Sequence, residues 1–386
     1  MSVTAAQGFR AAGVTAGLKP SGKPDVAVVV NEGPSRAAAG VFTSNRVAAA
    51  PVRWSRQVLA DGRADAVVLN SGGANAATGH PGFQDTHRTA EHTAAALGLS
   101  AGDILVCSTG LIGERLDMDR LLSGVDAAVE GLSTAGGGAA ATAIMTTDTV
   151  AKTALVRRDG YTVGGMAKGA GMLAPGMATM LCVLTTDADV PAADLDAALR
   201  EAVRTTFNRV DSDGCMSTND TVLLLASGAA ATAPDRHSFA EAVREVCADL
   251  ARQLVADAEG AAHEVLIRVV NASSEDAGEA VARAVSRSNL FKAAIFGQDP
   301  NWGRVISAVG TVPESVAPFD ADALDVSFNG VQVCRAAGVG EPREGVDLSG
   351  REVRVEIDLH AGDAVVELWT NDLTHDYVHE NSAYST

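Results

Sequence analysis

The fold of this chain depends on one stretch, Lys168-Gly-Ala-Gly-Met-Leu-Ala-Pro-Gly-Met-Ala-Thr179-Met-Leu-Cys-Val-Leu-Thr-Thr186. Its glycines and its proline predict a loop over residues 169–176 that can adopt unusual backbone angles. The apolar residues that follow predict a buried strand over Met180–Thr185, with Thr179 at its mouth. A threonine in this position is either an ordinary β-branched residue at a strand start or a nucleophile.

The functional interpretation of Thr179 is a nucleophile released by self-cleavage of the Ala178–Thr179 bond. Its hydroxyl would attack the preceding carbonyl, and water would hydrolyse the resulting ester. The freed α-amine, whose pKa is ordinarily about 8, is close enough to neutrality to serve as general base for the same hydroxyl. Such a base is one way of activating a weakly nucleophilic alcohol.

A second segment, Val106-Cys-Ser-Thr109-Gly110, ends a predicted strand in a threonine and a glycine. The Thr109 hydroxyl and the Gly110 N–H can aim at one point and form an oxyanion hole, in which each donor contributes about 3 kcal/mol to the transition state. A plain strand-to-loop turn is the alternative.

Two further segments carry polar groups suited to substrate recognition. Ile144-Met-Thr146-Thr-Asp-Thr149 is dense in hydroxyls, although helix capping also explains it. Asp257-Ala-Glu259-Gly260 closes a long helical pattern, and Glu259 is either the partner of a substrate ammonium or a solvated carboxylate.

The first two thirds of the chain alternate predicted strands and helices. Strands are predicted at Val26–Val30, Ala66–Leu69 and Ile104–Cys107, and a helix at Met118–Glu130. The Gly/Ala-rich residues 133–141 predict a flexible surface loop.

The last third favours a separate α+β subdomain from about residue 265 to 386. Asn329–Gly330 predicts a hairpin between Leu324–Phe328 and Val331–Cys334, and a second hairpin is predicted between Val353–Leu359 and Ala364–Trp369. The tail after Asn371 shows no helical pattern, and no third ligand accompanies its two spaced histidines, so no metal site is expected.

Composition excludes several classes of function. The 386 residues exceed twice the roughly 150 of one domain, which predicts two or three cores. Because 47% of the residues are hydrophobic, a mostly disordered chain is excluded. A net charge of −18 opposes binding to nucleic acid or to an anionic membrane. Five scattered cysteines, no signal peptide and no apolar run near the roughly 20 residues of a membrane span favour a cytoplasmic protein.

Taken together, these segments resemble the ornithine acetyltransferase family of arginine biosynthesis, from near Gly8 to Thr386. The resemblance is carried by Lys168-Gly-Ala-Gly-Met-Leu-Ala-Pro with Met-Ala-Thr179-Met-Leu, Ser108-Thr-Gly110 with Ile112-Gly113, Thr146-Thr-Asp-Thr149, Ser217-Thr-Asn-Asp-Thr221, Asp299-Pro-Asn-Trp-Gly-Arg304 and Asp372-Leu-Thr-His-Asp-Tyr-Val-His-Glu-Asn381.

The resemblance implies a self-processing enzyme that moves acetyl from N-acetylornithine to glutamate by a ping-pong route. It implies no cofactor, and many members also accept acetyl-CoA as a donor. It further implies an α chain of residues 1–178, a β chain of residues 179–386 and an α2β2 assembly. The implied fold is an α/β/β/α sandwich similar to N-terminal-nucleophile hydrolases, with a smaller C-terminal α+β subdomain.

Residue roles follow from the resemblance position by position. Thr179 is implied as the nucleophile, with Thr109 and Gly110 as the oxyanion donors. The implied substrate contacts are Thr146, Lys168, Thr179, Glu259, Asn381 and Thr386. The sequence departs from the family pattern at Gly73, Ala77, Ala258 and His263.

Two other functions remain open at the level of sequence. A self-activating aminopeptidase or amidase on the related fold would pass the acyl group to water. A non-catalytic acidic binding module would leave the chain uncut.

Overall fold

The computed structural model describes residues 2–173 and 180–383, and within them the chain forms two compact units. The first comprises residues 2–208 and 215–257, and the second comprises residues 209–214 and 258–383. The predicted residues Ala178, Thr179 and Thr386 lie outside the described residues.

The strands of the first unit form two sheets. The strands are β1 (Phe9–Val14), β2 (Val26–Asn31), β3 (Ala38–Phe42), β4 (Ala66–Asn70), β5 (Ile104–Ser108), β6 (Lys152–Arg158), β7 (Tyr161–Lys168), β8 (Leu181–Thr186) and β9 (Thr221–Ala226). One sheet has the order β1-β2-β4-β5 and the other the order β3-β9-β8-β7-β6. Most neighbours are antiparallel, but β4 pairs with β5, and β8 with β9, in parallel.

The helices of this unit are α1 (Ala50–Val58), α2 (Gly79–Leu97), α3 (Met118–Glu130), α4 (Gly137–Ala143), α5 (Ala192–Thr205) and α6 (Arg236–Ala256). Helices α2 and α3 share an apolar cluster with the first sheet. Helices α5 and α6 pack on each other and on strands of the second sheet.

Strand β2 shows how the layers follow from sequence. Val26, Val28 and Val30 lie in the cluster with α2 and α3, whereas Ala27 and Val29 lie in a cluster that includes Val183 of the second sheet. Side chains alternate along a strand, so a run in which every residue is apolar indicates burial on both faces. The layer order is therefore helix, sheet, sheet, helix, and the predicted α/β/β/α sandwich is confirmed.

The second unit contains one sheet of order β13-β12-β11-β14-β10-β15. Its strands are β10 (Glu264–Ala272), β11 (Asp325–Phe328), β12 (Val331–Arg335), β13 (Gly338–Val339), β14 (Glu352–Asp358) and β15 (Ala364–Asn371). Its helices are α7 (Glu275–Ser286), α8 (Asn289–Phe296), α9 (Trp302–Val309) and α10 (His375–Ala383). Residues of α7, α8 and α9 share one apolar cluster with the sheet.

One of the two predicted hairpins of this unit is correct and the other is wrong. Strands β11 and β12 pair antiparallel across Asn329–Gly330, as predicted. Strands β14 and β15 do not pair, because β10 lies between them, parallel to β14 and antiparallel to β15. The connection is tied to β10 by hydrogen bonds from the N–H of Leu359 to the Val270 carbonyl and from the N–H of Ala361 to the Asn271 carbonyl.

Two segments predicted to be irregular are helical. Residues 133–141 were expected to form a surface loop, yet α4 begins at Gly137 and buries Ala140 and Ala141 completely. Its small residues allow close packing, since a Cβ added at Gly13 of β1 would lie 2.1 Å from the Ala139 carbonyl oxygen. The tail forms α10, a helix without buried residues that apolar periodicity could not reveal.

Candidate active site

The predicted oxyanion donors lie at the carboxyl end of β5. The Thr109 side chain is 3% exposed, and its backbone N–H donates to the Asn70 carbonyl at 3.0 Å. Gly110 has φ +132°, and an added Cβ would lie 2.9 Å from both the Cα and the nitrogen of Gly73. Both the backbone angle and the space therefore require glycine at this position.

Lys168 ends β7 and meets Thr109, although 59 residues separate the two in sequence. The Lys168 side chain is buried, at 2% exposure, and its Nζ donates to Oγ1 of Thr109 at 3.3 Å. The structure thus brings together one predicted oxyanion donor and one predicted substrate contact at the ends of two strands.

A buried carboxylate, Asp148, supports this pair. Its Oδ1 accepts from Lys152 Nζ and from the N–H of Gly169, both at 2.7 Å, and its Oδ2 accepts from the N–H of Thr146 at 2.9 Å. Burial alone would raise the pKa of Asp148, but Lys168 and Lys152 together with these hydrogen bonds outweigh burial and lower the pKa to about 2. Asp148 is therefore ionised. It holds the backbone N–H groups of Thr146, a predicted substrate contact, and of Gly169, the residue after Lys168.

Lys152 links Asp148 to the end of α6. Its side chain is fully buried, and its Nζ lies 2.7 Å from Asp148 and 2.5 Å from Oδ2 of Asp257. The same carboxylate oxygen accepts from the N–H of Thr149 at 3.0 Å. The sequence alone predicts no role for Lys152 or Asp148, although Asp148 lies in the hydroxyl-rich segment 144–149.

Lys19 is a further cation that sequence reasoning missed. Its Nζ donates to the Met145 carbonyl at 2.6 Å and to the Pro24 carbonyl at 2.9 Å. Burial, assisted by the nearby charge of Lys168, lowers the pKa of Lys19 to about 8, against the opposing effect of Asp25. A lysine among these residues offers no pattern by which a sequence alone could have identified it.

Within the second unit, the structure joins Glu259 and Asn381. Nδ2 of Asn381 donates to Oε2 of Glu259 at 3.0 Å. Gly260 permits this approach, because an added Cβ would lie 2.2 Å from the nitrogen of Tyr377 in α10. The hydroxyl of Thr374 donates to the Gly260 carbonyl at 2.6 Å and fixes the same turn.

The departure at His263 has a structural explanation. The His263 ring lies 2.7 Å from Oδ2 of Asp372 through Nδ1, and the backbone N–H of His263 donates to Oδ1 of the same carboxylate at 3.0 Å. Both His263 and Ala258 are buried. At position 263 the chain therefore carries a buried, architectural contact with Asp372.

No group of three or more His, Cys, Asp or Glu side chains is placed to hold a metal ion in the part of the chain that the structure describes. Across the same residues, none of the helices combines the length and apolar character needed to cross a membrane.

At this site the Thr109 hydroxyl, directly after β5, contacts the buried ammonium of Lys168. The model of the ArgJ family matches residues 10–386. The chain belongs to the ArgJ family, so the predicted family and its assignment as an enzyme are confirmed.

Individual relatives agree over the full length. The arginine biosynthesis bifunctional protein ArgJ of Streptomyces coelicolor is 64% identical over 386 residues, and that of Thermobifida fusca 61%, with all of each chain covered. The chain is also similar to the solved structure of ornithine acetyltransferase complexed with ornithine from Mycobacterium tuberculosis. That match has 58% identity and a TM-score of 0.45, and it covers 47% of this chain and 96% of the other.

Proposed function

We propose that this chain is a self-processing acetyltransferase of arginine biosynthesis, which moves acetyl from N2-acetyl-L-ornithine to L-glutamate through an acetyl ester on Thr179. Family membership sets the class of reaction. The observation that carries the proposal is the buried contact between Lys168 Nζ and Thr109 Oγ1, at 3.3 Å.

That contact leaves the Thr109 hydroxyl able to donate a hydrogen bond to the substrate. The ammonium of Lys168 donates to the threonine oxygen, so the hydroxyl hydrogen of Thr109 stays available for a second acceptor. A hydrogen bond from a charged donor polarises the hydroxyl and strengthens the bond that it donates. Together with the Gly110 N–H, the hydroxyl would stabilise the oxyanion of a tetrahedral intermediate.

Scission at Ala178–Thr179 generates the nucleophile. The Thr179 hydroxyl adds to the Ala178 carbonyl carbon, the C–N bond breaks, and the released nitrogen takes up the proton. Water then hydrolyses the ester and leaves a carboxylate on Ala178 and a free α-amine on Thr179. The products are an α chain of residues 1–178 and a β chain of residues 179–386, which we propose to assemble as α2β2.

Transfer then proceeds in two balanced half-reactions. The Thr179 amine takes the hydroxyl proton as the oxygen attacks the acetyl carbon of N-acetylornithine, and the ammonium so formed protonates the departing ornithine nitrogen. The amine of glutamate then attacks the acetyl carbon and loses a proton to the same base. The ester C–O bond breaks, the Thr179 oxygen takes that proton back, and N-acetylglutamate leaves. Acetyl-CoA is proposed as a second donor, because the relatives above are named bifunctional.

Both substrates carry carboxylate and ammonium groups, so their recognition needs charges of both signs. We propose that Lys168 binds a substrate carboxylate and that Glu259 binds a substrate ammonium. The neutral donors and acceptors proposed beside them are Thr146, Asn381 and Thr386.

The test uses the full-length chain with N-acetylornithine and glutamate. The proposal predicts ornithine and N-acetylglutamate in equal amounts, from a protein of two chains with a native mass of α2β2. Free acetate without N-acetylglutamate would instead identify an amidase. Turnover with acetyl-CoA in place of N-acetylornithine tests the second donor.

A further inference from the structure

The segment Ser217–Thr221 contains an asparagine whose polar atoms are all engaged. Nδ2 of Asn219 donates to the Ala74 carbonyl at 2.6 Å and to the Ser108 carbonyl at 2.8 Å. Its Oδ1 accepts from the Thr218 hydroxyl at 2.6 Å. A buried amide whose donors and acceptor are all matched has one orientation, so the Asn219 side chain is held rigidly.

The Asn219 side chain holds the peptide unit between Ser108 and Thr109, next to the predicted oxyanion donors. The Ser108 carbonyl belongs to the same planar peptide unit as the N–H of Thr109, which donates to Asn70. Both ends of that unit are therefore fixed, one by Asn219 and the other by Asn70. The second hydrogen of Nδ2 holds the carbonyl of Ala74. Ala74 directly follows Gly73, the residue against which Gly110 packs.

The next residue, Asp220, reaches a different strand. Its Oδ1 accepts from the backbone N–H of Met180 at 3.1 Å, and the Met180 carbonyl accepts from the N–H of Thr221 at 3.1 Å. Met180, directly before β8, is thus held through both of its backbone polar groups. Its nitrogen is covalently bonded to the carbonyl carbon of Thr179.

The Asp220 carboxyl is fully buried, and among the described residues its Oδ2 has no hydrogen-bond partner. Burial raises the pKa of Asp220 well above its usual range, although the Met180 N–H, Ser217 and Lys168 act in the opposite direction. The hydrogen bond from the Met180 N–H to Oδ1 is the contact through which Asp220 acts.

We propose that Asn219 and Asp220 are positioning residues. Asn219 holds the oxyanion donors through the Ser108 carbonyl, and Asp220 holds Met180, the residue between Thr179 and the start of β8. This inference rests on the proposed function, because it takes Thr179 as the nucleophile and Thr109 with Gly110 as the oxyanion donors. Adjacent in the chain, the two residues tie β5 to the residue before β8 by side-chain hydrogen bonds.

Loss of these hydrogen bonds should affect the reaction rate more than the binding of substrate. A displacement of about 1 Å between reacting groups lowers a rate by about 100-fold, whereas contacts to the rest of the substrate persist. Loss of either residue should therefore slow both scission and acetylation of the enzyme, with little change in the KM for N-acetylornithine.

The variants are chosen to separate charge from shape. Asn219→Asp places an oxygen against the Ser108 and Ala74 carbonyls and should lower kcat by about 10- to 100-fold. Asp220→Ala should do the same. Asp220→Asn keeps the shape of the side chain and an oxygen for the Met180 N–H, so it should stay within about threefold of wild type. Asn219→Ala removes the donors without adding charge and replaces Asn219→Asp should that variant not fold.

Asp187→Asn is the matched control, at the other end of β8. Its buried carboxylate likewise accepts from backbone N–H groups, those of Thr162 at 2.7 Å and Gln7 at 2.9 Å. Each full-length variant is followed by intact mass for scission, by single-turnover release of ornithine, by kcat and KM, and by urea unfolding. The control should lose stability with unchanged rates.

The inference stands if Asn219→Asp and Asp220→Ala slow scission and single-turnover acetylation, KM moves by less than about threefold, and Asp220→Asn restores both rates. It is overturned if these variants react at wild-type rates, if Asp220→Asn is as slow as Asp220→Ala, or if Asp187→Asn slows the reaction equally. A wild-type chain that remains uncut would refute the proposed function instead.

Discussion

Replacing Thr109 by valine is the sharpest perturbation of the proposed chemistry. The two side chains have nearly the same shape, so the substitution removes one hydroxyl and leaves the packing at the end of β5 in place. That hydroxyl accepts from Lys168 at 3.3 Å and is the proposed donor to the oxyanion. We expect the variant to lose rate out of proportion to any loss of stability.

The substitution affects the reaction rate and the stability by different amounts. Removing one oxyanion donor lowers kcat by about 100- to 1,000-fold, equivalent to about 3–4 kcal/mol in the transition state. The buried ammonium of Lys168 also loses an acceptor, and an unsatisfied buried donor costs about 1–3 kcal/mol in the free energy of unfolding. Nearby Asp148 limits that loss by keeping a compensating negative charge close to Lys168.

The assay compares Thr109→Val with Thr109→Ser, which retains a hydroxyl. Cleaved protein of each variant is checked by intact mass, and release of ornithine is then followed in a single turnover. We expect the serine variant to react within about tenfold of wild type and the valine variant to be at least about 100-fold slower. Equal rates for valine and threonine would refute the role of Thr109 as an oxyanion donor.

Three further predictions concern other buried or constrained residues. Gly110→Ala should reduce the free energy of unfolding by about 1–3 kcal/mol in urea titrations and reduce kcat, because its φ of +132° and the contact with Gly73 oppose a side chain. Lys152→Met should cost about 3–5 kcal/mol in the same titration, since it leaves the buried Asp148 with one fewer cation. Burial lowers the pKa of Lys292 to about 8, so the unfolded chain binds this proton more tightly and stability should rise between about pH 8 and pH 10.5. That rise, on the order of 3 kcal/mol, should be absent from Lys292→Met in pH-dependent unfolding.

Periodicity predicted those elements whose burial is regular. The helix Met118–Glu130 has the predicted bounds, because its apolar residues recur on one face. Two kinds of element were missed. The helix α4 uses small residues for close packing, and α10 lacks a buried face altogether. The pairing of β14 with β10 was also missed, because strand order in a sheet depends on contacts that local patterns do not encode.

The candidate site was predictable only in part, because its contacts join residues that are distant in sequence. Thr109 and Lys168 could be singled out by their motifs, but their contact spans 59 residues and depends on the packing of two sheets. Asp148 and Lys152 form an ion pair that only the folded chain displays. Asn219 and Asp220 stood in a quoted motif without a role, which their hydrogen bonds to Ser108 and Met180 supply.

The most direct measurement is peptide mapping of full-length protein quenched during reaction with N-acetylornithine in the absence of glutamate. We predict two chains, the second beginning at Thr179, with a single acetyl group on the Thr179 hydroxyl that disappears when glutamate is added. A Thr179→Ala protein should remain one uncut, unacetylated chain. Acetyl trapped on a different residue, or an active enzyme that stays a single chain of 39.3 kDa, would contradict the account.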